Sequence, residues 1–236
     1  MNYIRTILNL ALCSFSLAFN LSLNAASISG NQDYTLTGYD PFIYVYDTST
    51  LNMINSAGAA HVTASDQSKV NVNIAGDVGF LNMRNDSTAN IYNGTVSWLN
   101  LYDNSQADIH KGTFSWLNLY GDSQANIYSG DFSWVQLYGN ARVNVYDLST
   151  SWFLLGLNSH ATIYGQNLTY VNGQVSGLSL DGMNSFSFQV LNMNDSGSII
   201  QGIPTNITLS QVPLPAPLFL LISGLLFLFK TGYRKS

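Results

Sequence analysis

The sequence contains no glutamate, and all 13 of its acidic residues are aspartate. Only 9% of its 236 residues are charged, against about 25% in an average soluble domain. Glutamate and lysine usually fill exposed helix surfaces, so their scarcity argues against a helical protein. The net charge of -5 removes the electrostatic basis for binding DNA or RNA, and we expect no nucleic-acid partner.

Cysteine and proline are also scarce. The single cysteine, Cys13, lies in the N-terminal apolar segment, so the rest of the chain must fold without disulfides. No proline occurs between Phe42 and Ile203, which is consistent with uninterrupted strand pairing. An apolar fraction of 46% excludes a disordered chain. Asn, Ser, Thr, Gly and Tyr carry the polarity instead, and this composition is typical of strands and turns.

The N-terminus has the order of a secretory signal peptide. Arg5 precedes an apolar stretch from Ile7 to Phe19, and small residues follow as far as Ala25 and Ala26. We therefore predict a helical signal peptide over residues 1–26, cleaved after Ala25 or Ala26. Leucine stands before Cys13 where a lipoprotein signal requires a small residue, so we expect no lipidation.

The C-terminus combines a proline-rich motif, a short apolar run and a basic end. The motif consists of Val212, Pro213, Leu214, Pro215 and Ala216, and the basic residues are Lys230, Arg234 and Lys235. The apolar segment 216–229 would extend about 21 Å as a helix, whereas a bilayer core is about 30 Å thick. We predict a short transmembrane helix there, with the basic end in the cytoplasm.

Residues 212–236 resemble the VPLPA variant of the PEP-CTERM sorting signal. In that family an integral-membrane exosortase recognises the proline motif and processes the protein on its way to the surface of Gram-negative, polysaccharide-producing bacteria. The commonest form of the motif has Glu-Pro where this chain has Leu214-Pro215. The resemblance implies an exosortase partner, transient residence in the inner membrane, and a final location at the cell surface or in the extracellular matrix.

The middle of the chain repeats every 18 residues without a slip. Four copies cover residues 90–161, and a fifth fades after Gly165. Each copy reads Ala-x-Ile, a glycine turn, Leu-x-Leu-Tyr, and then Asp, Asn or Gly before Ser. All four tryptophans occupy one position of the repeat: Trp98, Trp116, Trp134 and Trp152. Repeats of this length are typical of stacked solenoid turns.

Alternation at period two predicts two short strands in each copy. Two strands are too few for a propeller blade, and helical repeats would recur at a period of 3.6. We therefore predict an all-β, parallel β-solenoid over residues 27–211, with one 18-residue turn every ~4.8 Å. We also assign residues 70–74 to the first strand of an irregular turn, and residues 51–53, 81–83 and 191–193 to the second.

The tryptophan column has two interpretations. Rings in register can stack on one another and stabilise neighbouring turns, or exposed rings can form a platform for sugars. The sequence does not decide whether Trp98 faces inward, because a corner lies between Gly94 and Leu99. A corner column could bind calcium or form side-chain hydrogen bonds: Asn104, Asp122, Asn140 and Asn158. The nonapeptide of calcium-binding β-rolls is absent, so we expect no metal and no cofactor.

Enzyme activity would require clustered carboxylates with a basic residue or a close acid pair. Asp108, His110 and Lys111 form the best cluster, yet Asp108 occupies an Asn column and His110 a Tyr column. We therefore predict no catalytic residues. We expect a secreted or cell-surface structural or adhesive protein of the polysaccharide matrix. The alternative is a glycan-binding or polysaccharide-degrading β-solenoid.

Overall fold

The computed structural model describes residues 25–194 and 196–212. Every regular element in these residues is a β-strand, and none of them forms a helix suited to crossing a membrane. The helices predicted within 1–26 and over 216–229 lie outside the described residues, apart from Ala25 and Ala26. The same holds for the sorting motif after Val212 and for the basic end.

The strands wind into a β-solenoid of about eight turns. In chain order they are β1 (Ala26–Ile28), β2 (Asp33–Leu36), β3 (Phe42–Val45), β4 (Thr50–Asn55), β5 (Ala59–Ala64), β6 (Lys69–Met83), β7 (Thr88–Leu101), β8 (Gln106–Ile109), β9 (Thr113–Leu119), β10 (Gln124–Ile127), β11 (Asp131–Leu137), β12 (Arg142–Val145), β13 (Ser149–Gly156), β14 (His160–Val171), β15 (Gln174–Leu178), β16 (Ser185–Met193), β17 (Ile199–Ile200) and β18 (Ile207–Gln211). The predicted all-β, parallel solenoid is confirmed for this part of the chain.

Each turn contributes to two parallel ladders. The first ladder contains β2, β4, β6, β7, β8, β10, β12, β14 and β18. The second ladder contains β1, β3, β5, β6, β7, β9, β11, β13 and β16. β6 and β7 belong to both because they continue around the corner between the ladders. At ~4.8 Å per turn, eight turns extend about 38 Å.

The 18-residue register is confirmed in the central turns, where each tryptophan pairs with the next. Alanine and isoleucine of the first strand and leucines of the second point inward and are almost completely buried. Nearer the N-terminus the step varies, because Asp33 pairs with Thr50 and Thr50 with Lys69. The apolar core therefore continues through turns whose length differs from the repeat.

A tight turn at one corner connects each second-ladder strand to the next first-ladder strand. Its first residue has a positive φ, and this position changes from Asp or Asn to Gly along the chain: Asp47, Asp66, Asn85, Asp103, Gly121 and Gly139. Most turns place a buried serine two residues later, and the N–H of Ser105, for example, donates to the carbonyl of Tyr102 at 3.0 Å. The predicted Asp/Asn/Gly–Ser corner is therefore present.

Two of the irregular segments differ from the prediction. Residues 70–74 lie in the first ladder as predicted, and 81–83 in the second. The assignment of 51–53 to the second strand is wrong, since Leu51 pairs with Val70 in the first ladder. Residues 191–193 lie in the second ladder but one residue out of register, because Val190 pairs with Phe153. A Leu-x-Met pattern fits the alternation of either strand, so the corners that flank it decide which ladder it joins.

At the C-terminal end, three antiparallel strand segments, here called the cap (residues 166–190), lie against the last turn of the second ladder. β14 continues beyond Gly165, turns at Asn172–Gly173 and pairs with β15, which pairs with β16. Phe188 stacks on Phe153 of the last regular turn, with ring centroids 5.4 Å apart. β18 then returns to the first ladder beside β14. The cap therefore covers core that a further turn would otherwise bury.

Candidate functional site

The four tryptophans lie at a corner and point outward. Trp98, Trp116 and Trp134 are half-buried, and Trp152 is 39% exposed. Their ring centroids are 4.9, 4.9 and 5.4 Å apart, with interplanar angles of at most 15°. The column continues toward the N-terminus through Phe80, His61 and Phe42. Sequence analysis missed this extension because phenylalanine and histidine replace tryptophan and the repeat step from Phe42 to Phe80 is 19 residues.

Stacking determines which ring surfaces of this column meet the solvent. Because each near-parallel ring covers the face of the next, the central rings present mainly their edges. A sugar ring stacks on an aromatic face, so such a platform would have few faces to offer. Trp152, the last and most exposed ring, is the exception. The geometry therefore favours a stabilising column over an extended sugar platform.

Two tyrosine-rich columns run beside the tryptophans. One contains Tyr92, His110, Tyr128, Tyr146 and Tyr164, with centroids 4.7 to 5.0 Å apart. The other contains Tyr102, Tyr120 and Tyr138, with the Arg84 guanidinium 4.9 Å from the Tyr102 ring centre. Burial, followed by the neighbouring Tyr138 and Tyr102, raises the pKa of Tyr120 to about 12. Each of these columns is a stack of aromatic rings that links successive turns.

Amide side chains link consecutive turns. The Asn118 amide donates to Asn100, and the Asn100 amide donates to Asn82, at 2.8 and 2.9 Å. Asn118 is 4% exposed, and its Oδ1 has no hydrogen-bond partner because Gln136 replaces asparagine in the next turn. In the candidate calcium column, Asn104 donates to Asp86 and Asn140 to Asp122. Across 25–194 and 196–212, no three His, Cys, Asp or Glu residues are placed to hold a metal.

A polar groove of about 320 Å³ runs along the corner between the first and second strands of the successive turns from Ile74 to Ser149. It exists because glycine occupies this corner in three successive turns, and Gly112 has a φ of 150°. A Cβ on Gly112 would lie 2.8 Å from the carbonyl oxygen of Gly94 in the preceding turn. Side chains flanking the glycines line the groove: Asn93, Thr95, Lys111, Thr113, Ser129, Asp131, Asp147 and Ser149.

The groove brings together charges that the sequence separates. Lys111, Asp131 and Asp147 come from three different turns and line the same depression. Burial, followed by the nearby Asp181 and Asp131, raises the pKa of Asp147. Asp108 and His110 do not line it: Asp108 accepts a hydrogen bond from Asn126, and His110 lies in the tyrosine column. From the sequence, only the recurring glycines Gly94, Gly112 and Gly130 could have indicated this groove, because the charges on the groove walls do not repeat.

The described residues end at Val212, the first residue of the predicted sorting motif. The N–H of Val212 donates to the Gly165 carbonyl at 2.8 Å, continuing the pairing of β18 with β14. The Gln211 side chain both accepts from the N–H of Leu168 at 3.2 Å and donates to its carbonyl at 2.8 Å. The first motif residue is therefore fixed to the last turn, and Pro213, Leu214, Pro215 and Ala216 lie outside the described residues.

No protein-family model, no curated protein and no solved structure matches this chain.

Proposed function

We propose that this chain is exported across the inner membrane of a Gram-negative bacterium, sorted by an exosortase, and used as a structural or adhesive rod in the extracellular polysaccharide matrix. The signal peptide, the VPLPA motif and the basic end support export and sorting. Residues 27–211 contain 13 Asp against four Lys or Arg, a net charge of about -9. This charge suits a protein of a hydrated matrix more than one that docks on anionic lipid.

The observation that carries this proposal is the position of Val212. Among the described residues it is the last one hydrogen-bonded to the solenoid, and it is also the first residue of the motif. An exosortase that processes the motif would therefore release or transfer a complete, folded rod with almost no intervening linker. Stacked aromatic and amide columns along the rod fit a component whose role is to remain folded outside the cell without disulfides.

The test of sorting is the double substitution of Pro213 and Pro215 by alanine, with Pro217→Ala as the matched control. We expect the double variant to accumulate as full-length protein in the inner membrane, while the control is processed like the parent. Immunoblots of membrane and extracellular fractions measure both. Normal processing and release of the double variant would contradict the exosortase proposal.

A second candidate function, glycan binding, is favoured by the groove. Its walls carry a polar side chain at successive turns, such as Asn93, Lys111, Ser129 and Asp147, so an extended polar polymer lying along the axis would meet a hydrogen-bonding group at each step. Substitution of Lys111 by Gln together with Asp131 by Asn should then reduce retention in affinity electrophoresis through extracellular polysaccharide. Substitution of Trp116 and Trp134 by leucine should leave retention intact but lower stability by about 1–3 kcal/mol.

The opposite pattern would identify the tryptophans as the glycan platform. In that case the tryptophan pair would control retention, and the groove pair would have no effect. If the parent and both variants migrate equally with and without polysaccharide, the protein does not bind this glycan, and the purely structural role is favoured.

A further inference from the structure

The groove at the glycine corner stops where the cap begins. On one wall its last lining residue is Asp147, and the equivalent position in the next turn is Gly165. A Cβ on Gly165 would lie 2.5 Å from the carbonyl oxygen of Leu178, in the part of β15 that pairs with β14. The backbone of β15 therefore occupies the place where the groove would otherwise continue.

Gln166, the neighbour of Gly165, shows how completely this corner is covered. It is 6% exposed, and its side-chain amide donates to the carbonyl of Leu180 at 2.8 Å. Leu180 belongs to the loop between β15 and β16, so this loop is hydrogen-bonded across the corner. In the earlier turns the wall residues Lys111 and Asp131 are exposed. The groove is thus open along the regular turns and closed at the cap.

A small pocket of about 190 Å³ adjoins the closed end of the groove. Asp147 lines both the groove and this pocket, which places the two depressions side by side. The pocket is completed by two rings of the tyrosine column and by the loop between β15 and β16: Tyr128, Tyr146, Ser179, Leu180 and Asp181. The closed end therefore combines aromatic, apolar and hydrogen-bonding groups.

The polar groups of this pocket are mainly hydrogen-bond acceptors. The Ser179 hydroxyl and the Met183 N–H donate to the Asp181 carboxylate, which fixes its position and lowers its pKa. Among the described residues, no Lys, Arg or His lines the pocket. Carboxylates accept strong hydrogen bonds from hydroxyl groups, whereas a ligand carboxylate would be repelled by Asp147 and Asp181. This chemistry suits a polyhydroxylated, uncharged ligand.

An apolar surface is also present for the body of such a ligand. Tyr128 is 41% exposed, and Leu180 is 38% exposed. A sugar ring offers hydroxyl groups at its rim and C–H groups on its faces, so it can contact carboxylates and apolar side chains at the same time. The pocket therefore has the mixed lining that one neutral sugar unit requires.

We propose that the closed end binds the terminal sugar of a neutral polysaccharide chain, and that the following sugars lie along the groove toward the N-terminal turns. The groove spans five successive turns, or about 19 Å at ~4.8 Å for each step. The inference rests on the glycan binding proposed for the groove, and it specifies that the chain is bound through its end. The rod would then attach to the tips of polysaccharide chains and not along their length.

The first test counts chain ends and uses the parent protein. Its retention in affinity electrophoresis through a neutral extracellular polysaccharide is competed with the same polysaccharide, either intact or partially hydrolysed to fragments longer than the groove. Hydrolysis multiplies the chain ends without changing the mass of sugar. At equal mass we expect the hydrolysate to compete more strongly, in proportion to its number of ends. Equal competition by the two preparations would show that internal segments bind and would overturn the proposal.

The second test fills the pocket by Leu180→Trp, with Met183→Trp as the matched control. Met183 lies in the same loop, is exposed and does not line the pocket. We expect Leu180→Trp to weaken binding of the hydrolysate about tenfold or more, and Met183→Trp to bind like the parent. Thermal unfolding of both variants serves as the folding control, and the end-counting test does not depend on either variant.

Failure of this inference and failure of glycan binding give different results. A parent retained by neither the intact nor the hydrolysed polysaccharide would overturn glycan binding in the groove, and end recognition with it. A parent that is retained, together with a folded Leu180→Trp variant of unchanged affinity, would overturn end recognition alone.

Discussion

The regular turns and the cap bury the same kind of apolar surface in different ways. In the regular turns, each side chain stacks on its own equivalent, so that Phe114 lies on Phe132 at 4.6 Å and Trp116 on Trp134 at 4.9 Å. In the cap the strands run antiparallel, so this in-register stacking stops, although Phe186 and Leu168 still join the apolar core. Repetition extends the rod, and a change of strand direction ends it.

The difference predicts how each region responds to mutation. Stability of a repeat array is roughly a sum of terms for each turn and for each interface between neighbours. The loss of one whole regular turn should therefore be tolerated. The cap has no equivalent to replace it, so damage there should expose the end of the core to solvent.

The largest effect is expected from a deletion that breaks the register. Removal of residues 108–116 would join a first-ladder strand to the middle of a second-ladder strand, and we expect loss of the native β-type circular dichroism. Removal of the full turn, residues 108–125, joins equivalent positions and should retain a β-type spectrum with one fewer tryptophan. Equal folding of the two deletions would contradict the 18-residue turn.

The next largest effect is expected in the cap. Phe188 is 3% exposed and stacks on Phe153, so Phe188→Ala should lower the free energy of unfolding by about 3–5 kcal/mol. Met183 lies in the loop between β15 and β16, here called the cap loop, and is 83% exposed. Met183→Ala is therefore the matched control and should change stability little. Denaturant titration measures both. Similar midpoints for the two variants would show that the cap does not contribute to global stability.

A smaller effect of opposite sign is expected from repair of the regular turns. Gln136→Asn would place a shorter amide in register with Asn118, whose buried Oδ1 has no partner. The new hydrogen bond should outweigh the lost bond from the Tyr138 hydroxyl to Gln136 and raise stability by about 0.5–1.5 kcal/mol. Gln136→Leu keeps the side-chain volume without a donor and serves as control. A gain from leucine equal to that from asparagine would exclude the amide ladder as its cause.

The smallest effect on stability is expected at Asp147, which lines the groove and lies near Asp181 of the cap loop. Its raised pKa means that ionisation disfavours the folded state, so the associated stability is present below pH 3.8 and is lost as the pH rises through the folded value. Asp147→Asn should therefore raise the free energy of unfolding at neutral pH by less than about 1 kcal/mol for this partly exposed carboxyl, and the Tm should rise with it. The gain should vanish in acid.

Asp181→Asn provides the comparison for that experiment. Hydrogen bonds from the Ser179 hydroxyl and the Met183 N–H lower the pKa of Asp181, so its carboxylate favours the folded state at neutral pH. The Tm of this variant should fall at neutral pH and approach that of the parent in acid. A shift of the same sign for both variants would show that general charge reduction, and not these local contacts, controls the Tm.

Sequence alone predicted the part of the fold that repeats. The tryptophan, isoleucine and leucine columns defined the turn length and the two strands because parallel, in-register stacking places identical residues together. The cap was missed although Asn172-Gly173 between Val171 and Gln174 is a strong hairpin signal, with both turn residues at positive φ. A single hairpin does not recur, so the period gave no indication of it.

The outward orientation of Trp98 and the groove could not be derived from sequence for a different reason. Both depend on the angle at the corner that follows Gly94, and residue identity does not specify that angle. Lys111 and Asp147 are 36 residues (two repeats) apart in one column, and Asp131 lies in the neighbouring column, so no single column carries a repeated charge and the three meet only because they flank the same corner. Side chains from two adjacent columns became neighbours through the backbone geometry.

The hydrogen bonds between turns run along the axis of the rod, and the two ends of the described chain lie at its opposite ends. A force applied between those ends would load the turns one after another and peel each from its neighbour, without shearing a whole ladder at once. Each released turn would convert ~4.8 Å of rod into about 60 Å of extended chain. A matrix held together by such rods would lengthen in steps under tension and absorb mechanical work before it broke.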